Sequence, residues 1–373
     1  MGTAATDEFT SNDYRFMARA LRLAARGLNS TDPNPRVGCV LVRDGEVIGA
    51  GWHRYAGGAH AEIVALEAAG ARARGAHCYV SLEPCCHHGR TGPCSEALIA
   101  AGVSEVTAAM TDPHPRVAGG GLQALRQAGI HTRVGLLQAE AEALNPGFVQ
   151  RLCSGRPWLR VKLGMSLDGR TAMASGESKW ITSAQARADV QRLRARSSAI
   201  LTGINTVLVD DPALTVRQGD SEQGIRQPLR VILDSRLRMP PTARMLSLPG
   251  QTLIITGNPD PGLATPLRSA GAALERVAMH QGHVDLNAML QVLNAHEVNE
   301  VLVEAGPILT GALISAGLID EYVIYMAPKL LGSDARGLLN LPAMMQLADA
   351  VPLEFEEFRR IGPDWRISAR PRR

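Results

Sequence analysis

From Asp13 to Leu28 the apolar positions Tyr14, Met17, Leu21, Ala24, Ala25 and Leu28 recur every three or four residues, which predicts a helix with one inward face, capped by Ser11 or Asn12. The pattern then changes period. Residues 37–42 and 46–52 read as two short strands joined at Asp44-Gly45, a strong hairpin signal. Helices follow at His60–Ala71, Cys94–Ala101 and Gly121–Ala128, with strands at His77–Leu82, Glu105–Met110 and Thr132–Gly135. Past the polar, turn-prone run Ser154-Gly155-Arg156-Pro157 the alternation starts afresh. Strands are expected at Trp158–Leu163, Ala199–Thr202, Leu229–Asp234, Thr252–Thr256, Glu300–Glu304 and Glu321–Met326, and helices at Ser183–Arg196 and Leu309–Ala316. Strands alternating with helices imply α/β sheets covered on both faces.

With 373 residues the chain exceeds one ordinary core, and two domains are expected, 1–153 and 154–373. No internal repeat relates the halves. The formal charge is +3, from 39 Lys and Arg against 36 Asp and Glu, which provides no overall field for nucleic acid or a membrane surface. No apolar run is long enough to span a bilayer, and Asp7, Glu8 and Asp13 near the N-terminus do not fit a signal peptide, so a cytoplasmic location is expected. Six cysteines (Cys39, Cys78, Cys85, Cys86, Cys94 and Cys153) are too sparse for a disulfide scaffold. Three of them crowd into residues 85–94, which points to metal binding.

The candidate chemistry lies in His60-Ala61-Glu62, Pro84-Cys85 and Pro93-Cys94. One imidazole and two thiolates suit a catalytic zinc that keeps its fourth position for water. Glu62 is the natural proton carrier, and the combination can replace an exocyclic amine by a carbonyl. Cys94 is expected to open a helix, whose unpaired amides favour a thiolate there. Either piece alone is ordinary, because His-x-Glu occurs on solvated helices and cysteine is commonly a small core residue. Cys86, His87 and His88 share the segment and rank below Cys85 and Cys94 as ligands. The usual nucleobase-deaminase signature separates its cysteines by two residues, whereas eight separate Cys85 from Cys94.

In the second half no G-x-G-x-x-G follows a strand, which disfavours a Rossmann domain. Residues 303–312, VEAGPILTGA, read as a buried strand, a glycine turn and a helix start whose amides can receive phosphate, with Gly306 and Gly311 allowing close approach. The same turn can equally serve as a plain connection. Asp168 fits either a general acid or the turn residue of Asp-Gly, and the turn is the favoured reading.

The long-spacer run 81–94, SLEPCCHHGRTGPC, is very similar to the metal loop of the bacterial riboflavin-biosynthesis deaminase–reductases. Asn34-Pro35-Arg36-Val37-Gly38 and Gly51-Trp52-His53 match the deaminase half of that family, while residues 162–172, 176–183 and 203–217 resemble its reductase half. Cys86 stands where the family usually has Ser, and Gly92 where it has Pro. The resemblance implies a cytidine-deaminase-like α/β/α sandwich followed by a dihydrofolate-reductase-like α/β domain. It implies Zn2+ on His60, Cys85 and Cys94, with Glu62 catalytic and Asn34, His53 and His87 on the substrate. NADPH would contact Gly164, Trp180, Thr206, Asp210, Ser235, Gly306, Pro307, Ile308, Leu309, Thr310, Gly311 and Ala312. In the reductase, Ser178, Arg194, Leu214, Arg217 and Glu304 would meet the substrate. Arg194 and Arg217 make chemical sense as phosphate ligands, though ordinary surface arginine is the bland alternative. Also implied are a small pyrimidine ribosyl phosphate as substrate and a homo-oligomer, dimer or tetramer. A nucleobase or RNA deaminase with a non-catalytic NADP-binding module is the competing reading. It calls for a shorter cysteine spacer and a basic groove, neither of which is evident.

Overall fold

The computed structural model describes residues 8–86, 92–115, 117–217, 226–257 and 260–372. The chain divides into two compact units, Met1–Gly155 and Arg156–Arg373, against an expected boundary after residue 153.

In the first unit a five-stranded sheet runs in the order β2-β1-β3-β4-β5, with β1 Gly38–Arg43, β2 Glu46–Trp52, β3 His77–Val80, β4 Glu105–Ala108 and β5 His131–Val134. β1 is antiparallel to β2 and β3, and β3, β4 and β5 are parallel. Helix α1, Ser11–Ala24, buries Phe16, Met17 and Leu21 on one face of the sheet. Its cap is Thr10 and not Ser11 or Asn12: the Asp13 amide donates to Thr10 Oγ1 at 3.2 Å and the Thr10 amide to Asp13 Oδ2 at 2.8 Å, a reciprocal capping box.

Helices α2 (Ala61–Ala69), α3 (Cys94–Ala101) and α4 (Gly120–Gln127) cover the other face, around Leu41, Val80, Leu98 and Leu122. Helices α5, Gln138–Leu144, and α6, Pro146–Ser154, close the unit. The α/β/α sandwich is therefore present. Glycine sets how closely α2 approaches β2, since a Cβ at Gly49 would stand 2.2 Å from the Ala65 carbonyl oxygen and one at Gly51 2.5 Å from that of Ala61. Helix α2 starts at Ala61, one residue later than expected, and leaves His60 as its N-cap.

The second unit holds a nine-stranded sheet. Its elements are β6 Trp158–Ser166, β7 Arg170–Ala172, α7 Ala184–Arg196, β8 Ala199–Gly203, α8 Ile204–Asp210, β9 Leu229–Leu233, β10 Thr252–Thr256, α9 Pro261–Ser269 and β11 Ala272–Arg276. There follow β12 Met279–His280, β13 His283–Val284, α10 Leu286–Ala295, β14 Glu300–Val303, α11 Pro307–Ser315, β15 Glu321–Ala327, β16 Arg336–Gly337, β17 Leu353–Ile361 and β18 Asp364–Pro371. The order is β11-β10-β9-β8-β14-β6-β15-β18-β17, parallel from β11 to β15 and antiparallel at β15–β18 and β18–β17. One face packs under α10 and α11, through Met289, Leu293 and Leu313, and the other under α7, α8 and α9, through Leu193, Val207 and Leu267. Ligand sites in such sheets form outside the carboxyl ends of the parallel strands.

Candidate active sites

Two helix starts and one strand end build the site of the first unit. His60 precedes α2, Cys94 opens α3, and Cys85 follows β3 through Pro84. Their ligand atoms lie within 4.8 Å of one another. His60 Nδ1 is 3.2 Å from Cys94 Sγ and 3.6 Å from Cys85 Sγ. Tetrahedral zinc, with Zn–N of about 2.0 Å and Zn–S of about 2.3 Å, separates N and S by about 3.5 Å. The three side chains therefore fit that ion in both spacing and donor type.

Their protons are shared. The thiol of Cys94 donates toward Cys85, and together with His60 and the Cys94 backbone amide, 3.3 Å from Cys85 Sγ, it outweighs burial and lowers Cys85 to about 4. The same thiol–thiol bond, with burial, pushes Cys94 well up. The first amide of α3 points at Cys85 Sγ, one loop away, and so favours a thiolate there. A bound cation deprotonates both.

Glu62 is the second residue of α2, in its first turn, and is 3% exposed. Burial raises its carboxyl to about 7, with His60 pulling the other way. A carboxyl that titrates near neutrality is suited to accepting and returning a proton. Beside it, His53 Nδ1 donates to the Ala59 carbonyl at 3.0 Å, so Nε2 is the acceptor for Asn34 Nδ2 at 3.1 Å. Burial lowers the His53 pKa, and its ring meets that of His60 edge-on at 5.5 Å. Asn34 and His53 thus form a pair next to the metal ligands. His87 and His88 lie outside the described residues.

In the second unit the expected contacts gather along the carboxyl edge of the sheet. Gly164 pairs with Tyr325 near the end of β6, Thr206 and Asp210 belong to α8 directly after β8, Ser235 follows β9, and Glu304 follows β14. Gly306 caps α11, and nothing occupies the space where its Cβ would stand, which leaves the helix start approachable. Pro307 is the first helical residue, Ile308 and Ala312 are exposed, and Leu309 packs toward Gly203. Thr310 is buried. A Cβ at Gly311 would stand 1.9 Å from the Asn340 carbonyl oxygen, so its smallness admits that neighbouring segment.

Trp180 is 63% exposed with Arg187 over its ring at 4.2 Å, and its carbonyl accepts from Lys329 Nζ at 3.0 Å. Lys179 reaches Asp210 at 3.2 Å and so ties this loop, including exposed Ser178, to α8. Arg194 grips Glu304 with Nε–Oε1 at 2.6 Å and Nη2–Oε2 at 3.0 Å, while its Nη1 donates to the Thr215 carbonyl at 3.0 Å. Its first task is therefore to hold Glu304 and the segment next to Leu214. Leu214 is buried with φ 46°. Arg217 is exposed, and its amide donates to Gln191 Oε1 at 3.1 Å.

Two residues, Lys162 and Glu83, gain roles that the sequence did not suggest. Lys162 Nζ lies 3.6 Å from Glu304 Oε2, and a lysine inside the apolar strand 158–166 was the available signal. Glu83 is buried at the end of the strand run and accepts three backbone amides. Asp168 accepts from the Leu331 and Gly332 amides at 3.0 and 2.8 Å and from Ser166 Oγ, which agrees with the turn reading.

Residues 157–367 match the family described as RibD C-terminal domain, and residues 10–110 match the cytidine and deoxycytidylate deaminase zinc-binding region. The riboflavin biosynthesis protein RibD of Escherichia coli is 53% identical over 365 residues, covering 94% of this chain and 97% of that protein. This chain belongs to the RibD family. The RibD of Haemophilus influenzae is 47% identical, covering 98% of this chain and 99% of its own length. Among solved structures, Acinetobacter baumannii RibD superposes with a TM-score of 0.91 at 43% identity, over 97% of this chain and 99% of that one. A Thermotoga maritima protein described as a diaminohydroxyphosphoribosylaminopyrimidine deaminase/5-amino-6-(5-phosphoribosylamino)uracil reductase gives 0.83 at 30% identity, over 96% and 99%. RibD proteins are bifunctional deaminase–reductases of riboflavin biosynthesis, and this chain carries both halves in their order.

Proposed function

We propose that the first unit hydrolytically deaminates 2,5-diamino-6-ribosylamino-4(3H)-pyrimidinone 5′-phosphate and that the second reduces the ribosyl group of the product to a ribityl chain with NADPH. The observation that carries the first step is the buried Glu62 carboxyl, raised to about 7, beside the His60–Cys85–Cys94 cluster. His60, Cys85 and Cys94 would hold a zinc ion, which when bound would supply a water molecule of near-neutral pKa. Glu62 accepts the proton of the attacking water at its carboxylate and returns it to the ring nitrogen, then carries the proton of the newly formed hydroxyl to the departing amine as the carbonyl forms. Asn34 and neutral His53 present hydrogen-bonding edges that orient the pyrimidine, and His87 is assigned to the same task.

For the second step, NADPH bound here would supply a hydride to C1′ as the C1′–O4′ bond breaks, with O4′ taking a proton to leave the open ribityl chain. The α11 start at Gly306, the α8 residues Thr206 and Asp210, Ser235, Gly164 and Trp180 are assigned to cofactor, with Pro307–Ala312 continuing that helix. Ser178, Leu214, Arg217 and the Arg194–Glu304 pair are assigned to substrate. The positioning of the reacting atoms and the exclusion of water are the protein's share.

We assign the reaction to the cytoplasm, where thiols stay reduced; no helix among the described residues is long and apolar enough to cross a membrane. A homo-oligomer is supported by β17, an edge strand that exposes Phe355 and Phe358. Sedimentation of wild type against Phe355→Glu/Phe358→Glu tests that assignment. The catalytic reading is tested by supplying the pyrimidinone phosphate with and without NADPH while following ammonia and NADPH oxidation separately. Ammonia alone without cofactor and both signals with it are expected; NADPH oxidation before any ammonia release would overturn the order.

A further inference from the structure

Glu83 lies two residues before Cys85, at the point where the chain leaves β3. Its side chain points inward and is 3% exposed. Both oxygens are engaged by main chain from a distant segment: Oε2 accepts from the amides of Asp112 at 3.1 Å and Gly119 at 2.9 Å, and Oε1 from Leu122 at 3.1 Å. Gly119 is the N-cap of α4 and has no side chain to do the capping; its φ of 87° suits glycine. Leu122 is the third residue of that helix, so the Glu83 carboxylate satisfies amides that the helix start leaves unpaired and faces the positive end of its dipole.

The contact is close on the backbone side as well. A Cβ at Gly121 would stand 1.8 Å from the Pro84 carbonyl oxygen, so α4 rests directly on the turn that presents Cys85. On the opposite side the Ser95 amide donates to the Cys85 carbonyl at 3.1 Å and the Cys94 amide reaches Cys85 Sγ. The Pro84-Cys85 turn is thus clamped between the starts of two helices. One clamp is made by the helix that supplies the other cysteine, and the second is made through Glu83 and Gly121.

We propose that Glu83 is a positioning residue for the metal ligand Cys85: by capping α4 from a distance it fixes the Pro84-Cys85 turn and sets the placement of the sulfur. The proposal rests on the assignment of zinc to His60, Cys85 and Cys94. Outer partners of this kind typically change metal affinity about 10–100-fold when removed. Glutamine is a poor substitute, because its NH2 group must face one of the donating amides.

The experiment uses the full chain as wild type, Glu83→Gln, Glu83→Ala and Gly121→Ala. Zinc affinity is measured by competition with a chromophoric chelator, and the cobalt-substituted protein gives the ligand-field spectrum. A cooperative melting transition of the first unit reports that each variant is folded there, and reductase turnover reports the same of the second unit. A wild type that holds one zinc per chain upholds the metal assignment, and one that holds none overturns it independently of Glu83. Given zinc in the wild type, Glu83→Gln is expected to bind about 10-fold more weakly and Glu83→Ala about 100-fold, both with a shifted cobalt spectrum. Gly121→Ala, with Glu83 intact, is expected to shift the spectrum in the same sense. A purely structural Glu83 would lower the melting temperature and leave zinc affinity and spectrum at wild-type values; that result in Glu83→Gln overturns the proposal. Should Glu83→Ala fail to fold, Glu83→Gln and Gly121→Ala decide the question.

Discussion

Arg194 and Glu304 face each other as a two-pronged pair, Nε to Oε1 at 2.6 Å and Nη2 to Oε2 at 3.0 Å, although 110 residues separate them in the chain. Burial alone would raise Glu304; Arg194 and Lys162 outweigh it and bring the carboxyl down to about 2. Removing the guanidinium strands a buried carboxylate, which typically costs about 3–5 kcal/mol when one partner of such a pair is lost. Arg194→Ala is therefore expected to lower the melting temperature of the reductase unit and to raise its substrate KM. Ammonia release should stay within about twofold of wild type, because the deaminase residues belong to the other compact unit. Steady-state kinetics of the two half-reactions on one preparation check this, and an equal loss in both would refute the division of labour.

Glu62 and Cys94 separate proton transfer from metal binding. Glu62→Gln preserves size and leaves the three ligand atoms in place, so zinc content should remain at the wild-type level. Ammonia release should fall on the order of 10²–10⁴-fold, the usual contribution of a positioned acid–base group. Cys94→Ser should lose metal, by elemental analysis, along with activity. Full activity in a zinc-loaded Glu62→Gln enzyme would remove Glu62 from the chemistry, and unchanged zinc in Cys94→Ser would move the ligand to Cys86 or a neighbouring histidine.

The His60–Cys85–Cys94 cluster was legible in sequence because its members stand at the ends of regular elements, where turn and helix signals are strongest: His60 before α2, Cys85 after β3, Cys94 at the first position of α3. Glu83 was not, since its partners are backbone amides at 112, 119 and 122, which leave no side-chain pattern to read. In the second unit the central parallel strands were plain as apolar runs. The hairpin of β17 and β18 went unread, because β17 exposes nearly all of LEFEEFRRI and so lacks the alternation of a half-buried strand. Helix α8 was missed because seven residues, Ile204–Asp210, span barely two turns.

Asp168 offers a clean test of turn against acid. Its carboxylate accepts from Ser166 and from the amides of Leu331 and Gly332, and these bonds hold its pKa below the ordinary value. A group kept ionised is a poor proton donor, and its task is to pin residues 331–332 beside the β6–β7 turn. Asp168→Asn should therefore raise reductase KM more than it lowers kcat, since hydrogen bonds that hold a segment in place are lost while no proton donor is. The shape of the kcat–pH profile should be that of wild type. Disappearance of one limb of the profile would restore Asp168 as the acid.

Asp13 links pH to the stability of the first unit. Burial raises its carboxyl, but hydrogen bonds from Tyr79, Thr10 and Arg133 prevail and bring it to about 2 from an ordinary 3.8. A carboxyl lowered in the folded state adds stability that is complete above its unfolded pKa and fades as pH falls through the folded one. The contribution of Asp13 should accordingly be full at pH 5 and above, decline below pH 4 and be largely gone near pH 2. Asp13→Asn should melt below wild type at pH 6, and the gap should narrow steadily as the pH is lowered from 4 toward 2. Differential scanning of both proteins across that range measures the gap directly. A gap that stays constant with pH would mean that Asp13 acts through its neutral capping contacts with Thr10 and not through its charge.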